Sequence, residues 1–219
     1  MDQYLSPGRF IDSDSPQVIA FAQRAVAGAT GDIERVQRLY RAVRDGIIYD
    51  PYVNFADPAN FRASGVLAAG RGFCVGKAAL LAASCRAVGI PARVGYADVR
   101  NHMTSRKLYE RIKTDVFMWH SYAELLVAGK WVKATPAFDA ALCARAGIAP
   151  LEFDGRSDSL FHPFDRAGRR HMEYLKDRGA FADVPFDAMQ VDFRAHYPSL
   201  ISEPGISGDF HAEVVAASD

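Results

Sequence analysis

The chain has 219 residues, of which 26 are basic and 26 acidic, so its formal net charge at pH 7 is zero. This balance argues against a surface that binds nucleic acid or an anionic membrane through charge. Apolar residues make up 49% of the chain, which is enough to fill the core of a single domain over residues 1–219.

The cysteines and the N-terminal segment indicate the compartment. The chain has 3 cysteines and no CxxC pair, so a cysteine-based zinc site has little support. The first ten residues, MDQYLSPGRF, lack the apolar stretch of a signal peptide. No apolar run reaches the length that spans a membrane. We therefore expect a cytoplasmic protein with reduced thiols, no cofactor and no metal.

Two helices are predicted near the N-terminus. Ser15-Pro16 is typical of a helix start, and glycines at 28 and 31 end that helix. A second helix ends at Gly46, and its apolar residues recur at helical spacing: Ile33, Val36, Leu39, Tyr40 and Val43. The aromatic and proline-containing stretch 47–61 then predicts an irregular loop that borders a site.

One cysteine follows a glycine-containing turn. The stretch GRGFCVGKAALL (70–81) places Cys74 directly before an apolar run of helical spacing that ends near Gly89. A helix N-terminus favours a thiolate, because its unpaired N–H groups supply positive potential. The N–H of Cys74 would also face a developing oxyanion. The alternative is a small buried residue, as most free cysteines are.

A strand and a hairpin follow the cysteine helix. ARVGYADV (92–99) predicts a strand, and residues 117–127 and 131–136 predict a hairpin that turns at 128–130. His120 lies within the first, apolar hairpin strand. An imidazole buried there without a partner is costly, so His120 is our candidate base for Cys74. The alternative is a core histidine that bonds to the backbone.

The hairpin register suggests which group orients the histidine. If Val127 pairs with Lys130, Thr135 and Asp139 are both diagonal neighbours of His120 on the same face. A carboxylate can span that gap, whereas a threonine hydroxyl is shorter and uncharged. A shift of one residue would place both on the opposite face, and a surface aspartate after a strand is the alternative interpretation of Asp139.

Four segments in a fixed order carry a family resemblance. They are GFC (72–74), CRAVGIPAR (85–93), WHSYAEL (119–125) and GKWVKATP (129–136). Together they resemble the transglutaminase-like superfamily of papain-related thiol enzymes over residues 30–140. The resemblance implies an α+β, papain-like core in which the nucleophile helix packs on an antiparallel sheet, with N-terminal helices and a wrapping C-terminal segment. It also implies a cofactor-free Cys-His-Asp triad with Cys74 as nucleophile and His120 as base.

The third triad position departs from the family pattern. The aspartate that usually follows the return-strand tryptophan is replaced by Thr135, so either Asp139 takes its role or the triad is degraded. We predict Asp139. The predicted protein is a hydrolase (protease or amidase) or acyltransferase that acts on a peptide or amide through a thioester. The alternatives are a non-catalytic interaction domain on the same fold and, third, an arylamine acyltransferase.

The C-terminal third predicts an extension over 141–200 that packs on the core and contains a helix from about Pro185 to His196, followed by a flexible tail over 203–219. Within it, residues 152–165 carry acids and a histidine without EF-hand spacing: Glu152, Asp154, Asp158, His162 and Asp165. We expect Asp154 and Asp158 to border the cleft and attract a cationic or amide-bearing substrate, with a metal site as the alternative. Trp119, Tyr52 and Tyr49 are candidates to line the same groove, with packing in the core beneath it as the alternative for each.

Overall fold

The computed structural model of the chain describes residues 1–102, 104–161, 171–202, 205–206 and 208–215. Its α-helices are α1 (Pro16–Val26), α2 (Asp32–Gly46), α3 (Ala63–Ala69), α4 (Cys74–Ala87), α5 (Arg106–Ile112), α6 (Ala140–Arg145), α7 (Phe186–His196), α8 (Pro198–Ser202) and α9 (Phe210–Val215). Its strands are β1 (Ile48–Tyr49), β2 (Arg71–Gly72), β3 (Ala92–Asn101), β4 (Val116–Val127), β5 (Lys130–Ala134) and β6 (Met172–Phe181). Within these ranges no helix is long and apolar enough to cross a membrane.

The N-terminal helices have the predicted bounds. Ser15 precedes α1 and Pro16 is its first residue, while α2 ends at Gly46 as expected. The loop that follows α2 is less irregular than predicted, because β1 pairs with β2 in a short parallel ladder. That ladder pairs Tyr49 with Gly72, the residue that directly precedes Phe73 and Cys74.

The four-stranded sheet has the order β5-β4-β3-β6, and its neighbouring strands are antiparallel. Val127 pairs with Lys130 and Ala123 with Ala134. Of the two registers left open by the sequence, the structure has the one with a two-residue turn, and Lys130 belongs to β5 rather than to the turn. The two turn residues, Ala128 and Gly129, both have positive φ. This is the conformation that a two-residue turn needs to match the twist of its strands.

Strand β6 was not predicted. It pairs with β3 along Met172–Phe181, and most of its residues are at least partly exposed. An edge strand with few buried side chains shows no apolar alternation, so local sequence does not reveal it. The position of β6 depends on its pairing with the edge of β3, a strand that is distant from it in the sequence.

Helix α4 lies between two layers. Helices α1, α2 and α3 contact it on one side, and strands β3 and β4 contact it on the other. Its residues from Cys74 to Arg86 are all buried, which is typical of a helix with neighbours on every face. The mixed architecture, with the cysteine helix packed on an antiparallel sheet, confirms the predicted α+β class.

The C-terminal segment contacts strand β4 and the stretch that follows α2. Helix α7 begins after Pro185 and ends at His196, as predicted. Within the predicted tail, Phe210–Val215 form α9, a helix that the sequence did not predict. Phe210 is buried, and its ring centroid lies 5.7 Å from that of Tyr49 and 5.6 Å from that of Tyr52.

Candidate active site

Cys74 is the first residue of α4 and only 9% of its surface is exposed. The backbone N–H groups of Ser121, Val75 and Cys74 itself lie near the sulfur and favour its thiolate form. Burial raises the pKa of the thiol and the three N–H groups lower it, with a net value of about 11. The thiol therefore keeps its proton at neutral pH, although it is surrounded by donors that would stabilise a thiolate.

His120 directly precedes Ser121 and lines the same two cavities as Cys74. Burial, and secondly the charge of His171, lower the pKa of His120 to about 4, so the imidazole is neutral at pH 7. Its ring lies against Phe161, at 5.5 Å between centroids. Nε2 of His120 is buried and has no hydrogen-bond partner among the described residues. A neutral imidazole with an unused ring nitrogen is suited to accept a proton.

A β-bulge precedes the histidine. Ala97 pairs with His120 but Val99 pairs with Phe117, so two residues of β4, Met118 and Trp119, lie opposite Asp98 alone. Trp119 has a φ of +63°, a left-handed conformation that is uncommon for a bulky residue. A bulge bends its strand and redirects the next side chain, which here is His120.

Asp98 and two further groups hold the bulge. The Asp98 carboxylate accepts a 3.1 Å hydrogen bond from the N–H of Trp119 and a second bond from Arg178. The indole Nε1 of Trp119 donates to Asp192, 2.8 Å away, and the Arg178 guanidinium lies 4.3 Å from the indole centroid. Trp119 lines one of the two cavities that contain Cys74. It therefore lies in the groove, and its indole N–H already has a hydrogen-bond partner.

Asp139 does not lie beside His120, which corrects the predicted orienting role. It is the N-cap of α6, where Oδ1 accepts a 2.9 Å bond from the N–H of Leu142. Oδ2 accepts a 3.0 Å bond from the N–H of Tyr49 and lies 3.2 Å from Nε2 of His211. The chain leaves the sheet after Ala134, so the diagonal expected from the hairpin register does not extend to residue 139.

Thr135 occupies the family's acid position without a charged replacement. Its N–H donates to the carbonyl of Ser159 and its carbonyl accepts from the Tyr40 hydroxyl, both at 3.0 Å. Oγ1 of Thr135 is buried without a partner in the part of the chain that the structure describes. Within that part, no ion pair or hydrogen bond joins a carboxylate to His120, and Cys74 and His120 line the same two cavities.

The other predicted substrate contacts lie away from the thiol. Tyr52 bonds to Glu213 and Ser105 and lines neither cavity that contains Cys74. Asp154 accepts two bonds from backbone N–H groups of its own turn, and Asp158 accepts a 2.9 Å bond from the N–H of Lys133. Neither Asp154 nor Asp158 lines either of the two cavities that contain Cys74.

Neither His162 nor Asp165 lies within the described residues. Among the residues that are described, no group of three or more His, Cys, Asp or Glu side chains is placed to hold a metal ion. The structure also brings forward three residues that the sequence reasoning missed: Asp98, Ser121 and Phe210. Asp98 had a detectable signal, since an acid within a buried strand requires a partner; the other two had none.

Two cavities meet at Cys74 and His120. The first extends towards Trp119, α7 and α8 and encloses about 500 Å³ of space, part of it open to solvent. The second extends towards Phe138, Met172 and Phe210 and encloses about 440 Å³ in the same sense. Tyr49, one of the candidates for the groove, lines both. A thiol at the junction of two cavities has room for groups on either side of a bond that it attacks.

Comparison with known proteins supports this architecture. A candidate cysteine protease of known structure from Cytophaga hutchinsonii is 18% identical, with a TM-score of 0.52, over 84% of this chain and 48% of its own length. A candidate protease from Parabacteroides distasonis is 18% identical, with a TM-score of 0.38, over 61% of this chain and 25% of its own. The chain thus spans about half of the first structure, which shares the fold. Comparison with curated proteins finds no match.

The family model described as the transglutaminase-like superfamily matches residues 19–136, which is more than half of the chain. The match covers the α4 helix with Cys74 and the β4–β5 hairpin with His120. The chain belongs to the transglutaminase-like superfamily.

Proposed function

We propose that the protein is a cofactor-free thiol enzyme, a hydrolase or acyltransferase, that acts on an amide or peptide substrate. The observation that carries this proposal is the junction where Cys74 and His120 line the same cavities. Backbone N–H groups of both α4 and β4 lie near the sulfur of Cys74 and favour its thiolate form. Donors fixed around a nucleophile stabilise the charge that develops on it and on the adduct.

The proposed reaction starts from two neutral groups. The raised thiol pKa and the lowered imidazole pKa leave both groups neutral at pH 7. Sγ of Cys74 attacks the acyl carbon while His120 removes the thiol proton in the same step, so that no free thiolate forms. His120 then returns the proton to the leaving amine, and a thioester remains. Water or an amine releases the acyl group in the second step.

A second candidate function is a non-catalytic interaction domain. Thr135 at the usual acid position and the raised pKa of Cys74 favour it. In that case Cys74 would react with electrophiles only as free thiolate.

The pH dependence of Cys74 alkylation by iodoacetamide, followed by mass spectrometry, separates the two candidates. If His120 acts as base, the rate stays nearly constant between pH 5 and 9, since the base remains neutral and the thiol protonated throughout. In His120→Gln only free thiolate reacts, so the rate rises about tenfold per pH unit below the thiol pKa. Cys85 and Cys143 are internal controls, as both are buried.

A wild-type rate that rises as steeply as that of His120→Gln would overturn the base role and leave the interaction domain as the better account. A flat wild-type profile would justify a screen of amide and peptide substrates, with and without an added amine to distinguish transfer from hydrolysis.

A further inference from the structure

We propose that the first cavity binds an uncharged apolar group of the substrate, aliphatic or aromatic, next to the carbonyl that Cys74 attacks. This inference rests on the proposed function, and it names the substrate class that the function leaves open. The cavity, called here the apolar cavity, is lined by Tyr49, Pro51, Phe55, Phe73, Cys74, Leu108, Ile112, Phe117, Met118, Trp119, His120, Phe193, Tyr197 and Leu200.

The lining of the apolar cavity carries no acidic side chain, lysine or arginine among the described residues. Two of its polar groups besides Cys74 and His120 are already occupied by the protein. The Tyr197 hydroxyl donates to the Val116 carbonyl and accepts from the N–H of Met118, at 2.7 and 2.9 Å. The Trp119 indole donates to Asp192. A substrate with a charged group would therefore lose its hydration there without gaining a counter-charge.

Tyr49 is also uncharged at neutral pH, because burial raises the pKa of its hydroxyl well above the ordinary value. The second cavity also contains Asn101 and Thr104, but the Thr104 hydroxyl donates to the Asn101 carbonyl. Aromatic rings dominate the walls of the apolar cavity.

The experiment uses chloroacetamides that differ only in the group on nitrogen: unsubstituted, N-benzyl, N-(2-aminoethyl) and N-carboxymethyl. The rate of Cys74 alkylation by each is divided by its rate with N-acetylcysteine, which removes differences in intrinsic reactivity. Burial of one phenyl ring predicts that the benzyl reagent exceeds the unsubstituted one by about tenfold or more. We expect both charged reagents to react more slowly than the unsubstituted one.

Met118 provides the variant, since it is only partly buried and lines the apolar cavity but not the second one. Met118→Glu places a negative charge in the wall, which is expected to abolish the benzyl preference and to favour the aminoethyl reagent. Met118→Leu keeps the wall apolar and should keep the preference. Val191→Glu adds the same charge on α7 at a position 65% exposed to solvent, and should also keep it.

The outcomes distinguish the two proposals. If Cys74 shows the flat pH profile with iodoacetamide but no benzyl preference, the apolar cavity is not the acyl-group site and the thiol-enzyme proposal stands. If Cys74 lacks the flat profile, both proposals fail together. If Met118→Glu does not fold, as judged by circular dichroism, the wild-type reagent series still decides the question.

Discussion

The Asp98 carboxylate accepts a hydrogen bond from the N–H of Trp119, the residue directly before His120. The same carboxylate bonds to Arg178, and both side chains are about nine-tenths buried. A residue of β3 therefore fixes the backbone that aims the candidate base of β4. Asp98 does not touch the thiol or its cavities, so we regard it as a positioning residue.

Asp98→Ala should lower the pH-independent alkylation rate of Cys74 and reduce stability. The variant leaves the Trp119 N–H unpaired and removes one of the two carboxylates that bond to Arg178, which costs about 1–3 kcal/mol. Asp192→Ala removes the other acid that contacts Arg178 and Trp119, but it leaves the backbone bond intact and should keep the rate. If Asp98→Ala lowers the melting temperature and leaves the flat rate unchanged, the carboxylate has only a structural role.

Asp139→Asn should leave the pH profile of Cys74 alkylation unchanged, because the carboxylate bonds to Leu142 and Tyr49 rather than to His120. Asparagine caps a helix about as well as aspartate, whereas Asp139→Ala should cost about 1 kcal/mol of stability. Urea denaturation measures the free energy of unfolding of both variants. A profile that becomes steep in Asp139→Asn would restore the triad predicted from the sequence.

Phe210→Ala should raise the alkylation rate of Cys74 several-fold, and more for a bulky maleimide than for iodoacetamide. The ring of Phe210 closes the second cavity against Tyr49, and its removal exposes the thiol to water and reagent. Leu175→Ala, on the exposed part of β6, is the matched control. Equal acceleration in both variants would mean that general loosening, not the cavity wall, controls access.

Gly76→Ala should destabilise the protein by about 1–3 kcal/mol. A Cβ at Gly76 would lie 2.5 Å from the carbonyl oxygen of Asn60, a backbone atom that cannot turn away. Gly46→Ala is the control, since a Cβ there meets no atom within 4 Å and α2 would gain a better helix former. Thermal unfolding of the two variants should therefore show shifts of opposite sign.

Lys77 should make stability depend on alkaline pH. It is fully buried, its Nζ donates to the carbonyls of Arg44 and Ile47, and burial lowers its pKa to about 7. The unfolded chain, with a lysine pKa near 10.4, binds more protons between those values, so unfolding becomes less favourable as pH rises. The free energy of unfolding gains as much as about 1.4 kcal/mol per pH unit in that window.

Lys77→Met removes this titration, so the difference in urea midpoint between wild type and variant should change between pH 7.5 and 9.5. Subtraction of the two curves cancels the cysteines and tyrosines that titrate in the same range. A difference that stays constant would show that Lys77 has an ordinary pKa in the folded protein.

Local patterns predicted the parts of the fold that depend on near neighbours. The N-cap at Ser15 and the helix that begins at Cys74 each depend on a few adjacent residues, and both are confirmed. The Val127–Lys130 pairing is one of the two registers that the sequence left open. The position of Asp139 could not be predicted from the hairpin register alone. The pairing of β4 with β5 ends at Ala134, and the N–H of Thr135 bonds to the carbonyl of Ser159 instead. That bond joins residues 24 positions apart, beyond what a local pattern records.

All three cysteines are buried, and burial raises the pKa of each thiol above its ordinary value. Because α4 is enclosed by helices and sheet together, it gains its neighbours only when both layers have assembled. Unfolding therefore exposes all three thiols to solvent and removes the rise in pKa that burial causes. The slow labelling of Cys85 and Cys143 in native buffer reports how often the chain opens, which gives the opening free energy without added denaturant.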